Sequence, residues 1–169
     1  FNEAKVIRQT LSEVQDFLAK NFQSFEIIVV DDKSTDGTLQ ILASLAGLKI
    51  LRNLKNHGKG YTVAKGVRAA QGDWILFMDA DNSTRITELE KFWPQSQAFK
   101  ILIASRALPE SNLKIKQNIF KVSLGRAGNL VARLLLGTSL KDTQCGFKLF
   151  AKETKFLFNK LTVQRFAFD

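Results

Sequence analysis

Two aspartates one residue apart, in Asp79-Ala80-Asp81, directly follow the apolar run Trp74-Ile75-Leu76-Phe77-Met78. Such a run predicts a strand buried on both faces, as in a parallel sheet covered by helices. In open α/β sheets the ligand crevice lies outside the carboxyl ends of the strands. Paired carboxylates there suit a hard divalent cation, and such a cation suits a diphosphate. An exposed turn would use the same residues. A second acidic strand end, Asp31-Asp32 with Ser34-Thr35-Asp36, closes the strand-like stretch 25–30. These types also serve turns and helix caps; as a site they would bind a base or ribose edge of a nucleotide. Asn56-x-Gly58-Lys59-Gly60 stands before a helical pattern. Its glycines permit close backbone approach, a helix N-terminus favours anions, and Lys59 adds a full positive charge. The spacing is not that of a P-loop. His57, the only histidine, reads as incidental. The stretch Asp142-Thr143-Gln144-Cys145-Gly146-Phe147-Lys148 is polar, then turn, then strand-like. Cys145 reads as a packed small hydrophobe, and spacing leaves Asp142 and Lys148 open between a surface pair and a site.

The elements that must hold these groups alternate. Ile7, Leu11, Val14 and Leu18 mark one face of a helix, with Asn2 as its expected N-cap and Glu3 in its first turn. The strand over residues 25–30 is followed by a helix capped by Ser34 or Thr35, with Leu39, Leu42 and Leu45 inward. A short strand at residues 49–51 precedes the glycine–lysine loop and a helix burying Val63, Val67 and Ala70. After the 74–78 strand come a short helix near residues 87–93 and a strand at 101–104. This alternation argues for an α/β fold with a parallel sheet. Residues 114–136 predict a long helix, with Ile119, Val122, Leu130 and Leu134 set against Lys116, Lys121, Arg126 and Arg133. It reads equally as a helix covering the sheet or as a basic amphipathic helix at a membrane interface.

A chain of 169 residues with 45% apolar content suits one domain with a substantial core. One cysteine excludes an internal disulfide and a thiolate metal cage, and points to a reducing compartment. No stretch approaches the roughly 18 apolar residues of a membrane span. Residues 1–99 carry 12 Lys+Arg against 12 Asp+Glu, whereas residues 100–169 carry 13 against 4, so the entire net charge of +9 sits in the C-terminal part. That asymmetry predicts an anionic partner there: phosphates, an acidic membrane surface or nucleic acid.

Taken together, Phe1-Asn2-Glu3-Ala4, Val29-Val30-Asp31-Asp32-x-Ser34-Thr35-Asp36-Gly37-Thr38, Asn56-x-Gly58-Lys59-Gly60, Met78-Asp79-Ala80-Asp81 and Ser105-Arg106 resemble the family 2 glycosyltransferases. Asp142-Thr143-Gln144-Cys145-Gly146-Phe147-Lys148-Leu149-Phe150 and Arg165-Phe166-Ala167-Phe168-Asp169 resemble the polyprenyl-phosphate type within that family, its dolichyl-phosphate β-glucosyltransferase branch. The resemblance implies a glycosyltransferase A type fold, a nucleotide-binding α/β sandwich with a mostly parallel sheet flanked by helices. It implies that Asn2, Glu3, Asp31 and Asp32 line the nucleoside pocket and that Asp79 and Asp81 hold Mg²⁺ or Mn²⁺. Lys59, Gly60 and Arg106 would contact the phosphates or sugar, and Lys148 and Arg165 the acceptor phosphate. Residues 1–169 are then expected to be one catalytic domain truncated at both ends, with its first strand missing. Two departures stand out: Lys33 replaces a small residue common after the two aspartates, and Ala104 replaces a glycine before Ser105-Arg106.

The implied reaction is inverting transfer of glucose from UDP-glucose to a dolichyl-like polyprenyl phosphate, at the cytosolic face of a membrane (endoplasmic reticulum in a eukaryote, plasma membrane in a prokaryote). Metal and cationic groups would stabilise charge on the leaving diphosphate. A phosphate monoester has a second pKa of about 6, so the acceptor is already nucleophilic near neutrality. Of the implied catalytic residues Asp81, Asp142 and Lys148, Asp142 is therefore expected to orient Lys148 or the acceptor. The alternative within the class is transfer of mannose or another sugar. Asp79-x-Asp81-x-Ser83 also resembles the nucleophile motif of haloacid-dehalogenase-type phosphatases, but the only later aspartates are Asp142 and Asp169, with no close acidic pair for Mg²⁺. A non-catalytic module binding nucleic acid would use the positive charge, yet no nucleic-acid motif is present.

Overall fold

A computed structural model describes residues 1–105 and 144–161. The helix expected over residues 114–136, together with Arg106, Asp142 and Arg165, lies outside the described residues. The chain divides into two compact units, residues 1–102 with 146–169, and residues 103–145. Almost everything described belongs to the first.

Helix α1 (Ile7–Asn21) buries Ile7, Leu11 and Val14, as their spacing predicts, together with Thr10. Asn2 does not cap it. A turn intervenes in which the Glu3 carbonyl accepts the N–H groups of Val6 and Ile7. Asn2 instead adopts φ 59, a left-handed conformation that its short polar side chain tolerates. Its side-chain oxygen accepts the Thr35 N–H at 2.9 Å, while its own N–H donates to the Ser34 hydroxyl at 2.9 Å.

Strand β1 (Ile27–Asp31) leads into helix α2 (Thr38–Ala43). Ser34 and Thr35 do not cap this helix either. Gly37, at φ 91, delays the helix to Thr38 and leaves Asp36 as the acceptor in reach. One Asp36 oxygen accepts the Thr38 N–H at 3.1 Å and the Thr38 hydroxyl at 2.6 Å; the other accepts the Ala4 N–H at 3.0 Å. The Thr38 hydroxyl, working against burial and aided by these N–H groups, holds the Asp36 carboxyl below the ordinary carboxylate range.

Lys33 has φ 63. The left-handed region penalises a Cβ and is best met by glycine or by short polar residues such as asparagine. Replacing it with glycine relieves strain but loosens the unfolded chain, so Lys33→Gly should stabilise the protein by up to about 1 kcal/mol. Urea denaturation, read at constant m, checks this.

Strand β2 (Leu48–Arg52) pairs in parallel with β1, from Ile27 opposite Leu48 to Asp31 opposite Arg52. Helix α3 (Lys59–Ala69) and strand β3 (Trp74–Met78) follow, continuing the expected alternation. Two 3₁₀ turns around helix α4 (Leu89–Phe92) lead to strand β4 (Ile101–Ile103). Strand β5 (Phe147–Ala151) and helix α5 (Phe156–Asn159) complete the described elements.

The strands form two sheets, β1–β2 and β3–β5–β4, so β1 and β3 each have one strand partner among the described residues. β5 runs antiparallel to β3, with Trp74 opposite Ala151 and Met78 opposite Phe147. The strand expected to be buried on both faces is only partly so, since in β3 Ile75 alone is fully buried. β5, the central strand of its sheet, is buried along its whole length. On one of its faces Phe150 joins Ile75, Ala64, Val67, Ala70 and Phe158 in a core cluster, with the Phe150 and Phe158 rings edge to face at 5.1 Å. On the other face Phe147 meets Phe92 edge to face at 5.4 Å. Alternation along a strand explains the division.

Candidate active site

The carboxyl end of β1 supplies two buried carboxylates with different tasks. Asp32, 5% exposed, accepts the Asn53 side-chain amide at 2.7 Å and the His57 N–H at 3.0 Å on one oxygen, and the Gly58 N–H at 2.8 Å on the other. Burial pushes its carboxyl up, but the hydrogen bonds from His57, Asn53, Gly58 and Thr62 outweigh it and hold the group below the ordinary carboxylate range. Asp32, expected at a base or ribose edge, thus has its oxygens turned to the loop before α3. Among the described residues, the Asp31 carboxylate accepts the Ser34 N–H, 3.3 Å from both of its oxygens.

That loop determines where Lys59 stands. Gly58, at φ 92, occupies a conformation that side chains rarely adopt and makes the turn into α3, while Gly60 is buried in the first turn. Lys59 is the first helical residue, and its Nζ lies 2.9 Å from Asp79 Oδ1, with both side chains about one-quarter exposed, at 25% and 29%. The ammonium also lies 5.5 Å above the Phe77 ring.

Asp79 follows the last residue of β3, and its N–H donates to the Gly146 carbonyl at 3.0 Å. Asp81 is exposed and accepts the Ser83 N–H at 3.0 Å. The Thr10 hydroxyl donates to the Ala80 carbonyl at 3.0 Å, tying α1 to the turn between the two aspartates. Beside Asp81 lies a cavity of about 180 Å³, lined also by Gln9, Glu13, Asn82 and Arg85. Lys148 lies on β5 opposite Phe77 and is 5% exposed. Asn2 and Glu3 belong to the same end of the molecule through their ties to residues 34–38; the Glu3 N–H donates to the Thr38 hydroxyl at 2.9 Å.

Asp32, Gly58, Lys59 and Asp79, four of the residues expected on the donor side, form one connected set. Asn53, Phe77 and Gly146 belong to it and are not evident from sequence spacing. Asn53 could have been suspected as a polar residue one step past β2. Among the described residues no three His, Cys, Asp or Glu side chains converge as a cation cage. Asp79 and Asp81 instead offer two hard oxygen ligands on one turn. Mg²⁺ and Mn²⁺ commonly take such a pair together with substrate phosphates and water, so the residues fit that group.

Comparison with known proteins bears on the family and the fold. The family model described as glycosyl transferase family 2 matches residues 1–153. The chain is 34% identical over its whole length to a Trichomonas vaginalis protein named dolichyl-phosphate beta-glucosyltransferase ALG5C, and 30% identical to the human dolichyl-phosphate beta-glucosyltransferase. It spans 55% and 58% of the lengths of those two proteins. Among solved structures it is similar to mannosyl-3-phosphoglycerate synthase from Rubrobacter xylanophilus, with TM-score 0.66 and 21% identity over 90% of this chain and 51% of that one. It also resembles a Pyrobaculum calidifontis mannosyltransferase solved with GDP-Man and Mn²⁺, with TM-score 0.56 and 19% identity over 90% of this chain and 42% of that one. At these identities the two structures speak for the fold, which is of the glycosyltransferase A type. With two acidic strand ends joined by a lysine at a helix start, and a family match running almost end to end, the chain belongs to glycosyl transferase family 2.

Proposed function

We propose that this chain is the catalytic part of an enzyme that transfers glucose from UDP-glucose to a dolichyl-like polyprenyl phosphate. The observation that carries the donor side is the Lys59–Asp79 pair at 2.9 Å, placed where the carboxyl end of β3 meets the start of α3. The glucosyl and lipid assignment rests on the relatives' names and on the 142–150 segment.

In this reading Asp79 and Asp81 hold Mg²⁺ or Mn²⁺, which when bound supplies positive charge to the donor diphosphate. Lys59 exchanges part of its pairing with Asp79 for a phosphate oxygen and stabilises the leaving UDP. The N–H groups of His57 and Gly58 are already used by Asp32, so Asp32 acts by fixing the loop, while Asp31, Asn2 and Glu3 line the nucleoside side. The acceptor phosphate needs no strong base near neutrality. Lys148 orients it, with Arg106, Asp142 and Arg165 assigned to the sugar and acceptor by sequence alone. Action at the cytosolic face of the endoplasmic reticulum follows if the organism is a eukaryote. Among the described residues no helix is long and apolar enough to cross a membrane.

The test is a transfer assay on the full protein with a short polyprenyl phosphate and either UDP-glucose or GDP-mannose, with Mg²⁺, Mn²⁺ or chelator. UDP-glucose with metal should give a glucosylated lipid and free UDP. Preferential use of GDP-mannose would replace the glucosyl reading by a mannosyl one, and turnover undiminished by chelator would remove the metal from it.

A further inference from the structure

Gly146 is buried and stands against Asp79. A Cβ built on it would lie 1.8 Å from Asp79 Oδ2, 2.2 Å from Cγ and 2.6 Å from Oδ1. No Cβ coexists with a carboxylate at those distances. The backbone does not call for glycine here. Among the described residues the glycines with φ in the left-handed region are Gly37, Gly47 and Gly58, so Gly146 has a conformation open to alanine. What it supplies is space.

That space cannot be recovered by a small shift of the main chain. The Asp79 N–H donates to the Gly146 carbonyl at 3.0 Å, and the next pair along the ladder is Met78 opposite Phe147. Phe147 is fully buried, and its ring packs against Phe92. With both backbones tied, a side chain at residue 146 would force the Asp79 carboxylate to rotate. Rotation would carry Oδ1 away from Lys59 Nζ, now 2.9 Å distant.

We propose that Gly146 is a positioning residue for the donor site: its bare α-carbon forms the wall against which the Asp79 carboxylate is held toward Lys59 and toward a cation-bound diphosphate. The functional half of this inference rests on the reading of Asp79 given above. It also gives the 142–150 segment, which sequence associates with the acceptor, a direct part in arranging the donor side.

The experiment is a double-mutant cycle on the full protein with Gly146→Ala, Asp79→Ala and the double variant. Two quantities are measured for each: stability by urea denaturation, and UDP affinity by calorimetry with and without Mn²⁺. Gly146→Ala should lose roughly tenfold or more of the Mn²⁺-stimulated part of UDP affinity, with metal-free UDP binding little changed. It should also destabilise the protein when Asp79 is present and not when Asp79 is alanine, because removal of the carboxylate relieves the clash. If Gly146→Ala alone fails to fold, recovery of folding in the double variant supports the same conclusion. An equal stability cost in both backgrounds, failure of the double variant to fold when Asp79→Ala folds, or wild-type Mn²⁺ stimulation in Gly146→Ala while Asp79→Ala has lost it, would overturn the inference and leave the reading of Asp79 intact. Full Mn²⁺ stimulation in Asp79→Ala would instead overturn that reading, and the positioning role with it.

Discussion

Asp81→Ala should lower kcat/KM for glucosyl transfer by roughly a hundredfold or more without unfolding the protein. Asp81 is exposed, and its described contact is one hydrogen bond, from the Ser83 N–H at 3.0 Å. A substitution at so open a position costs within about 0.5 kcal/mol of stability. The loss of activity therefore reports on chemistry and not on fold. On the proposed reading of the site, the size follows from removing one of two anionic oxygen ligands that would hold the cation against the leaving diphosphate. Asp79→Ala should act in the same direction on activity, with the added consequence that Lys59 loses its carboxylate partner at 2.9 Å. Steady-state transfer with saturating lipid acceptor, alongside a urea denaturation curve for each variant, separates the two contributions. Wild-type turnover by Asp81→Ala would remove Asp81 from the site.

The second large effect concerns stability and acid. Asp32 is 5% exposed and receives hydrogen bonds from the Asn53 side chain and the His57 and Gly58 N–H groups. Asp32→Ala leaves those donors unmatched in a buried place and should cost about 3 kcal/mol. It should also weaken UDP binding, because the loop that delivers Lys59 loses its anchor. The pH dependence has a definite sign. The carboxyl is held below its ordinary value of 3.8 in the folded protein, so the unfolded chain binds the proton more readily. The stabilisation is present above the unfolded value and is lost as pH falls through the folded one. The gap in stability between wild type and Asp32→Ala should therefore be constant near neutrality and narrow once the pH drops below the ordinary carboxylate value. A gap that stays unchanged into strong acid would mean that the Asp32 charge does not hold the loop.

Asp32 also marks a limit of sequence reading. Its position after an apolar strand is a local property, and so is the pattern that identifies it as polar and significant. Whether its oxygens face a ligand or the protein depends on Asn53, 21 residues away, and on the loop at 57–58. Only the closure of β1 on β2 brings those donors to it. The same distinction holds for the caps. The types at Asn2, Ser34, Thr35 and Asp36 announce turns, but which oxygen meets which N–H was decided by Gly37 entering the left-handed region and by the N-terminal residues folding back onto 34–38.

Asp79-Ala80-Asp81 illustrates the other side. Its candidacy as a site was legible because a strand end, two carboxylates and a family of motifs in order are all features of neighbouring residues, and local patterning likewise announced α1, β1, α3 and β3. Long-range pairing left no such mark. The antiparallel seating of β5 beside β3, which makes β5 rather than β3 the fully buried strand, joins residues far apart in the chain. That pairing alone sets Gly146 against the Asp79 carboxylate. Residue types, strand ends and the family can all be read from the chain before it folds. Which carboxylate stays exposed, as Asp81 does, and which is spent on the fold, as Asp32 is, depends on the tertiary structure, because burial and hydrogen-bond supply depend on what the chain brings close in space.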